Sequence, residues 1–171
     1  MSKYDFLKQY VDFGKYSDIR PCNWFSRIDE KTIFLSEKKI GYKFPKSLRE
    51  FWLEIGCGML RISSTGVVAN SYSNAVLSPS EIASIILGEE DAPMLPDYRD
   101  DFVHEGDIPF FEVADSSDYL FMKRDSEAPD MIYGASGYIL EEHFEDFIRK
   151  LYYESPTYYE KIAREKLGIS E

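Results

Sequence analysis

Imidazoles, thiols and long apolar runs are all scarce in this chain. His104 and His143 are the two histidines in 171 residues, so chemistry that needs a serine or cysteine beside an imidazole base has little to work with. His143 stands among Glu141, Glu142 and Glu145 and reads as a solvated helix residue, and His104 lies in an acidic loop. GASGY at 134–138 is not a G-x-S-x-G elbow, because Tyr138 takes the last glycine position. Cys22 and Cys57 have neither C-x-x-C spacing nor a neighbouring histidine cluster and read as reduced packing residues. No run approaches the roughly 20 apolar residues of a membrane span, and the opening MSKYDFLKQYVDFGKY lacks the apolar centre of a signal peptide. The expectation is a soluble, cytoplasmic protein.

Phosphate loops of the G-x-x-x-x-G-K-[ST] or G-x-G-x-x-G kind are absent. Asp115, Asp118, Asp125 and Asp130 offer hard oxygen ligands but do not fit the spacing of a calcium loop. Neither a metal nor a cofactor is expected. Glu112, Asp115 and Asp118 could converge across a hairpin as a carboxylate group, which leaves a hydrolase open on composition alone.

Basic residues are the scarcer charge, and unevenly so. The net charge is −11, yet the stretch 89–146 holds 18 acidic residues against Arg99, Lys123 and Arg124 alone. Such a field repels nucleic acid and anionic membranes and speeds encounter with a basic partner. Solvated loop acids that only aid solubility are the plainer explanation of the same pattern.

What the chain does contain is organised around 29–60. Asp29 is placed to cap a helix running to about Lys39, Ile28 and Ile33 take hydrophobic-staple positions, and Gly41 ends the helix. Pro45 suits a first helical position, and Leu48, Phe51, Trp52 and Ile55 recur at spacings of three and four, so that face must be buried. Gly56 and Gly58 then turn the chain sharply into a strand over 59–62.

Along the rest of the chain, 3–13 reads as an amphipathic helix, and 19–25 as an irregular connection packing Trp24 and Phe25 inward. The segment 63–78 suggests short strands. Ser78 and Glu81 frame a capping box with Pro79 at the first helical position and Leu77 stapled to Ile82, for a helix closed by Gly88. Residues 89–107 read as a long acidic surface excursion. Hairpins follow over 108–123 and 131–140, then a helix with the stripe Phe144, Phe147, Ile148, Leu151 and Tyr152, its first turn bearing Glu141 and Glu142. A last helix opens at Ser155–Pro156 and closes at Gly168. The expected fold is α+β, a single domain spanning 1–171 with a mainly antiparallel sheet of about five or six strands flanked by N-terminal and C-terminal helices.

Glu37, Gly41, Phe44, Pro45, Leu48, Phe51, Trp52, Ile55, Gly56 and Gly58 follow one another as in the signature of the SUKH superfamily, which this chain resembles. Cys57 departs from it, standing where many members carry Asn or Tyr. The resemblance extends through SPSEIASIILGEE, the PFFEVADSSDYLFM hairpin and the C-terminal helix pair.

That resemblance is nearest to bacterial immunity proteins of polymorphic toxin systems. It implies a non-catalytic cytoplasmic antitoxin that binds and neutralises a cognate toxin, a basic nuclease domain. As the second reading it allows an intracellular scaffold or regulatory domain, as in eukaryotic regulators of cell-wall synthesis and signalling. Charge placement nominates the contacts: Asp97, Asp100, Asp101, Glu105 and Asp107 from the excursion, with Glu112, Asp115 and Asp118 from the hairpin.

Overall fold

The computed structural model describes residues 2–12, 23–69, 74–124 and 127–169. Seven strands among them form one sheet in the order of the chain: β1 (Trp24–Ser26), β2 (Cys57–Met59), β3 (Ala75–Val76), β4 (Asp107–Glu112), β5 (Tyr119–Lys123), β6 (Ile132–Tyr133) and β7 (Ile139–Glu141). Every neighbouring pair is antiparallel, so the sheet is a meander. The strand count exceeds the five or six expected because Trp24–Ser26, read as irregular, pairs with Cys57–Met59. Cys22 and most of 19–25 lie outside the described residues.

Two helices intervene between β1 and β2. Asp29 accepts the Thr32 N–H at 2.7 Å and starts α1 (Glu30–Ile40), which Gly41 closes in a left-handed conformation. α2 (Lys46–Glu54) follows, with Pro45 at its N-cap rather than inside its first turn. Leu48, Phe51, Trp52 and Ile55 are all buried, and the Trp52 indole donates to the Leu77 carbonyl at 2.9 Å. Beneath the joint between the helices, Glu37 is 3% exposed. Its carboxylate accepts from Arg49, from Lys43 at 2.7 Å and from the Phe44 N–H at 3.0 Å. Burial alone would raise its pKa, but those three donors hold it below the usual value.

Gly56 and Gly58 have φ of +114° and +147° and bring β2 so close to β1 that a Cβ would meet the Ser26 and Trp24 carbonyl oxygens at 1.9 and 2.1 Å. Only glycine permits that approach. Between β3 and β4 lie α3 (Pro79–Leu87), opened by the Ser78–Glu81 capping box, and α4 (Pro96–Phe102). The excursion over 89–107 is therefore not loop throughout. Pro96 supplies a helical start, and Met94 is buried beneath it.

α5 (Phe144–Tyr153) and α6 (Tyr158–Leu167) complete the chain. The acids of the α5 first turn are Glu145 and Asp146; Glu141 ends β7 instead and pairs with Lys150 at 2.6 Å. Toward the N-terminus, Asp5–Tyr10 is a 3₁₀ helix, shorter and tighter than the amphipathic helix expected. Aromatic rings join these layers edge to face: Tyr4 on Phe51 at 5.0 Å, Phe51 on Phe144 at 5.6 Å, Phe147 on Phe111 at 5.1 Å and Phe111 on Tyr159 at 6.1 Å.

Candidate functional site

α4 is too short to hold itself, and its two inward side chains fix it to the body of the protein. Arg99 donates from Nε to the Ile85 carbonyl, which also takes the Gly88 N–H, at 2.9 Å and from a terminal nitrogen to the Ile86 carbonyl at 3.1 Å, adding donors at the C-terminal end of α3. Tyr98 lies against Tyr119, ring centroids 5.7 Å apart, and its hydroxyl accepts the Tyr119 N–H at 3.3 Å. Burial pushes the Tyr98 phenol up to about 12, and the nearby Asp118 carboxylate adds to the rise. The Tyr119 hydroxyl in turn donates to the Pro93 carbonyl at 3.3 Å. The helix is thus seated on the β4–β5 hairpin.

With Tyr98 and Arg99 turned inward, Asp97, Asp100 and Asp101 point outward and are exposed. Asp100 is paired with Arg99 at 2.8 Å. Glu105, also exposed, meets Arg124 at 3.3 Å, and that guanidinium lies over the Tyr42 ring at 4.7 Å. Asp118 joins this group through Tyr98, and Asp115, in the same hairpin turn, sits at φ +55°. Glu112 is half-buried at the end of β4, between Ala75 and Tyr119.

Asp107 differs from the rest. It is 6% exposed, accepts the His104 N–H at 3.0 Å and pairs with Lys123 across the β4–β5 ladder at 3.3 Å. It positions the chain between α4 and β4 rather than facing outward.

Below α4 a cleft of about 310 Å³ lies between Asp101, Phe102 and His104 on one wall and the 134–137 turn on the other, floored by Phe121, Lys123 and Tyr133. The Lys123 ammonium is engaged twice there, by Asp107 and by the Tyr133 ring at 5.2 Å. Among the described residues, no three His, Cys, Asp or Glu side chains gather as a metal site. Asp130 accepts from the Ser47 hydroxyl at 2.6 Å, and Asp125 lies outside the described residues. What this surface offers is outward carboxylates beside exposed Leu95 and Phe102.

The hairpin turn that carries Asp115 depends on residues the sequence reading did not single out. The Ala114 N–H donates to the Tyr159 hydroxyl at 3.2 Å, and that hydroxyl donates to Asn74 Oδ1 at 2.8 Å. Asn74 Nδ2 donates to the Leu60 and Pro156 carbonyls. The signals available were weak: an Asn before a short strand, and a Tyr on a helix already rich in rings. Tyr98 was legible as one of the few apolar residues able to hold the excursion down, but Arg99 only as part of a polar segment, although Pro96 with Asp97 after it is a helix start.

No helix among the described residues is long and apolar enough to cross a membrane. No curated protein and no solved structure matches the chain significantly. A family model described as SMI1 / KNR4 family (SUKH-1) matches residues 27–150, from the approach to α1 into α5, well over half of the chain. The Glu37 latch, the buried face of α2 and the two close-approach glycines all fall inside that span, and the chain belongs to the SMI1/KNR4 family (SUKH-1).

Proposed function

We propose that this chain is a non-catalytic cytoplasmic immunity protein that binds a cognate toxin, a basic nuclease domain, and neutralises it. Membership of the SUKH-1 family is the observation that carries the reading. The exposed acids of α4, held rigidly on the hairpin, support it physically. A nuclease must attract polyanions, so its active-site surface is positive, and a preorganised negative surface competes for it.

The contacts are Asp97, Asp100, Asp101 and Glu105 with Glu112, Asp115 and Asp118; Asp107 supports them from beneath. Leu95 and Phe102 provide the apolar anchors that an acidic rim surrounds.

The direct test captures the partner from native lysate with the tagged protein and assays its nucleic-acid cleavage with increasing amounts of the purified protein. Inhibition complete at a fixed stoichiometry is the expected result. Cleavage unaffected by excess protein, together with salt-insensitive capture of cell-wall or signalling proteins from lysate, would instead make the chain a scaffold domain.

A further inference from the structure

The cleft below α4 holds more negative charge than positive. Asp101 and Asp107 line it against the single ammonium of Lys123. Lys123 is committed, to Asp107 at 3.3 Å and to the Tyr133 ring at 5.2 Å. So are the other two cations of 89–146: Arg99 binds Asp100 and the last α3 carbonyls, and Arg124 binds Glu105. Asp101 is exposed and has no ion-pair partner among the described residues. The rim of the cleft therefore carries a carboxylate that no described cation of this chain answers.

Size and surface narrow what can enter. About 310 Å³ stands at the small end of the roughly 300 to 1,000 Å³ of small-molecule sites, so the cleft suits one long side chain rather than a large ligand. Phe121 is buried in its floor, and Phe102, held by Tyr98 with ring centroids 4.6 Å apart, is 37% exposed beside Asp101. The opposite wall is a fixed turn. The Gly134 N–H donates to the Tyr138 carbonyl at 3.0 Å and the Gly137 N–H to the Gly134 carbonyl at 2.9 Å. The Tyr138 ring lies so near Gly134 that a Cβ there would meet it at 2.1 Å. An aromatic slot with net negative charge and an open carboxylate is matched by a planar cation, which stacks on a ring while donating to the carboxylate.

We propose that the cleft receives a single arginine side chain of the basic partner, its guanidinium stacked on Phe102 and paired with Asp101. The identity of that partner rests on the function proposed above; the arginine slot is a separate claim about how it is held. Arginine is among the residues that dominate binding energy at interfaces, and a partly enclosed slot is the setting in which such an anchor acts. Lysine fits less well, because its ammonium is compact, strongly hydrated and cannot stack as a plane.

NMR titration of the nitrogen-15-labelled full chain with N-acetyl-arginine amide, N-acetyl-lysine amide and acetate, at matched ionic strength, tests this without any toxin. The arginine probe is expected to shift the amide resonances of 101–104, 121–123 and 133–137 and to saturate, with the lysine probe weaker and acetate without effect there. Asp101→Asn and Phe102→Leu, one removing the charge and the other the ring, are each expected to raise the arginine dissociation constant about threefold or more. Arginine and lysine probes that act alike, arginine shifts scattered over the acidic surface, binding unchanged in both variants, or acetate taking the cleft instead would each overturn the inference, and none of these results bears on toxin inhibition. Failure to inhibit a captured nuclease would overturn the toxin reading while saturable arginine binding still upheld the slot.

Discussion

The Tyr159 hydroxyl donates to Asn74 Oδ1 at 2.8 Å, joining α6 to the residue that precedes β3 across a sequence separation of 85. Asn74 is fully buried, holds φ at +82° and spends its amide on two carbonyls, so its side chain is satisfied only in this arrangement. Tyr159→Phe removes both bonds of that hydroxyl and leaves the buried Asn74 Oδ1 and the buried Ala114 N–H open, at a cost of about 2 kcal/mol. Asn74→Ala loses every bond of the Asn74 side chain and also strains the left-handed backbone, which raises the cost to about 3 kcal/mol. Urea unfolding of the two variants measures both, and the order Asn74→Ala above Tyr159→Phe is the expected one.

The two close-approach glycines and the glycines facing open space should respond differently to the same substitution. Gly56→Ala and Gly58→Ala set a methyl against backbone that cannot move without parting β1 from β2. Each is expected to lose about 3 kcal/mol or more, or to prevent folding. Gly41→Ala has nothing within 4 Å of the added carbon and strains only φ, for about 1 kcal/mol. Thermal melts of the three variants compare them directly.

Glu37 makes stability depend on pH in one direction. Its folded pKa lies below the unfolded value, so its contribution is fully present at neutral pH and is lost as pH falls below about 4.5 through the folded pKa. Glu37→Gln is expected to cost about 2 kcal/mol at pH 7. The gap between wild type and variant narrows in acid, as unfolding midpoints taken from neutral to strongly acid pH will record.

Cys57 is the one free thiol among the described residues. Burial pushes it up to about 11, with the Glu81 carboxylate adding to the rise, so almost no thiolate exists near neutral pH. In a Cys22→Ser background, a thiol reagent at pH 7.5 should label the folded protein far more slowly than the urea-unfolded chain. Equal rates would show that the site opens freely.

How far residues announced their roles depended on whether their partners were local. Asp29, Gly41, Ser78 and Glu81 act within four residues of themselves, and the helices they bound were readable. The buried stripe of α2 was equally plain, because its period is helical. α4 was not legible as a helix: its polar composition resembles that of a loop, and its stability comes from Tyr119 and the end of α3. Asp107 was grouped with the exposed acids because its neutralising partner, Lys123, reaches it only through strand pairing. The strand at Trp24–Ser26 exists because Gly56 and Gly58 admit it, a relation between segments about 30 residues apart.

The outward acids of α4 are proposed to capture a basic toxin. Association rates with the toxin domain, measured at nanomolar protein in low and high salt for wild type and for Asp97→Lys/Asp100→Lys/Asp101→Lys, test this most directly. Electrostatic steering predicts fast, salt-sensitive association for the wild type, with the variant slower by about tenfold or more and its salt dependence flattened. Rates and salt dependence unchanged by the triple reversal would contradict the account.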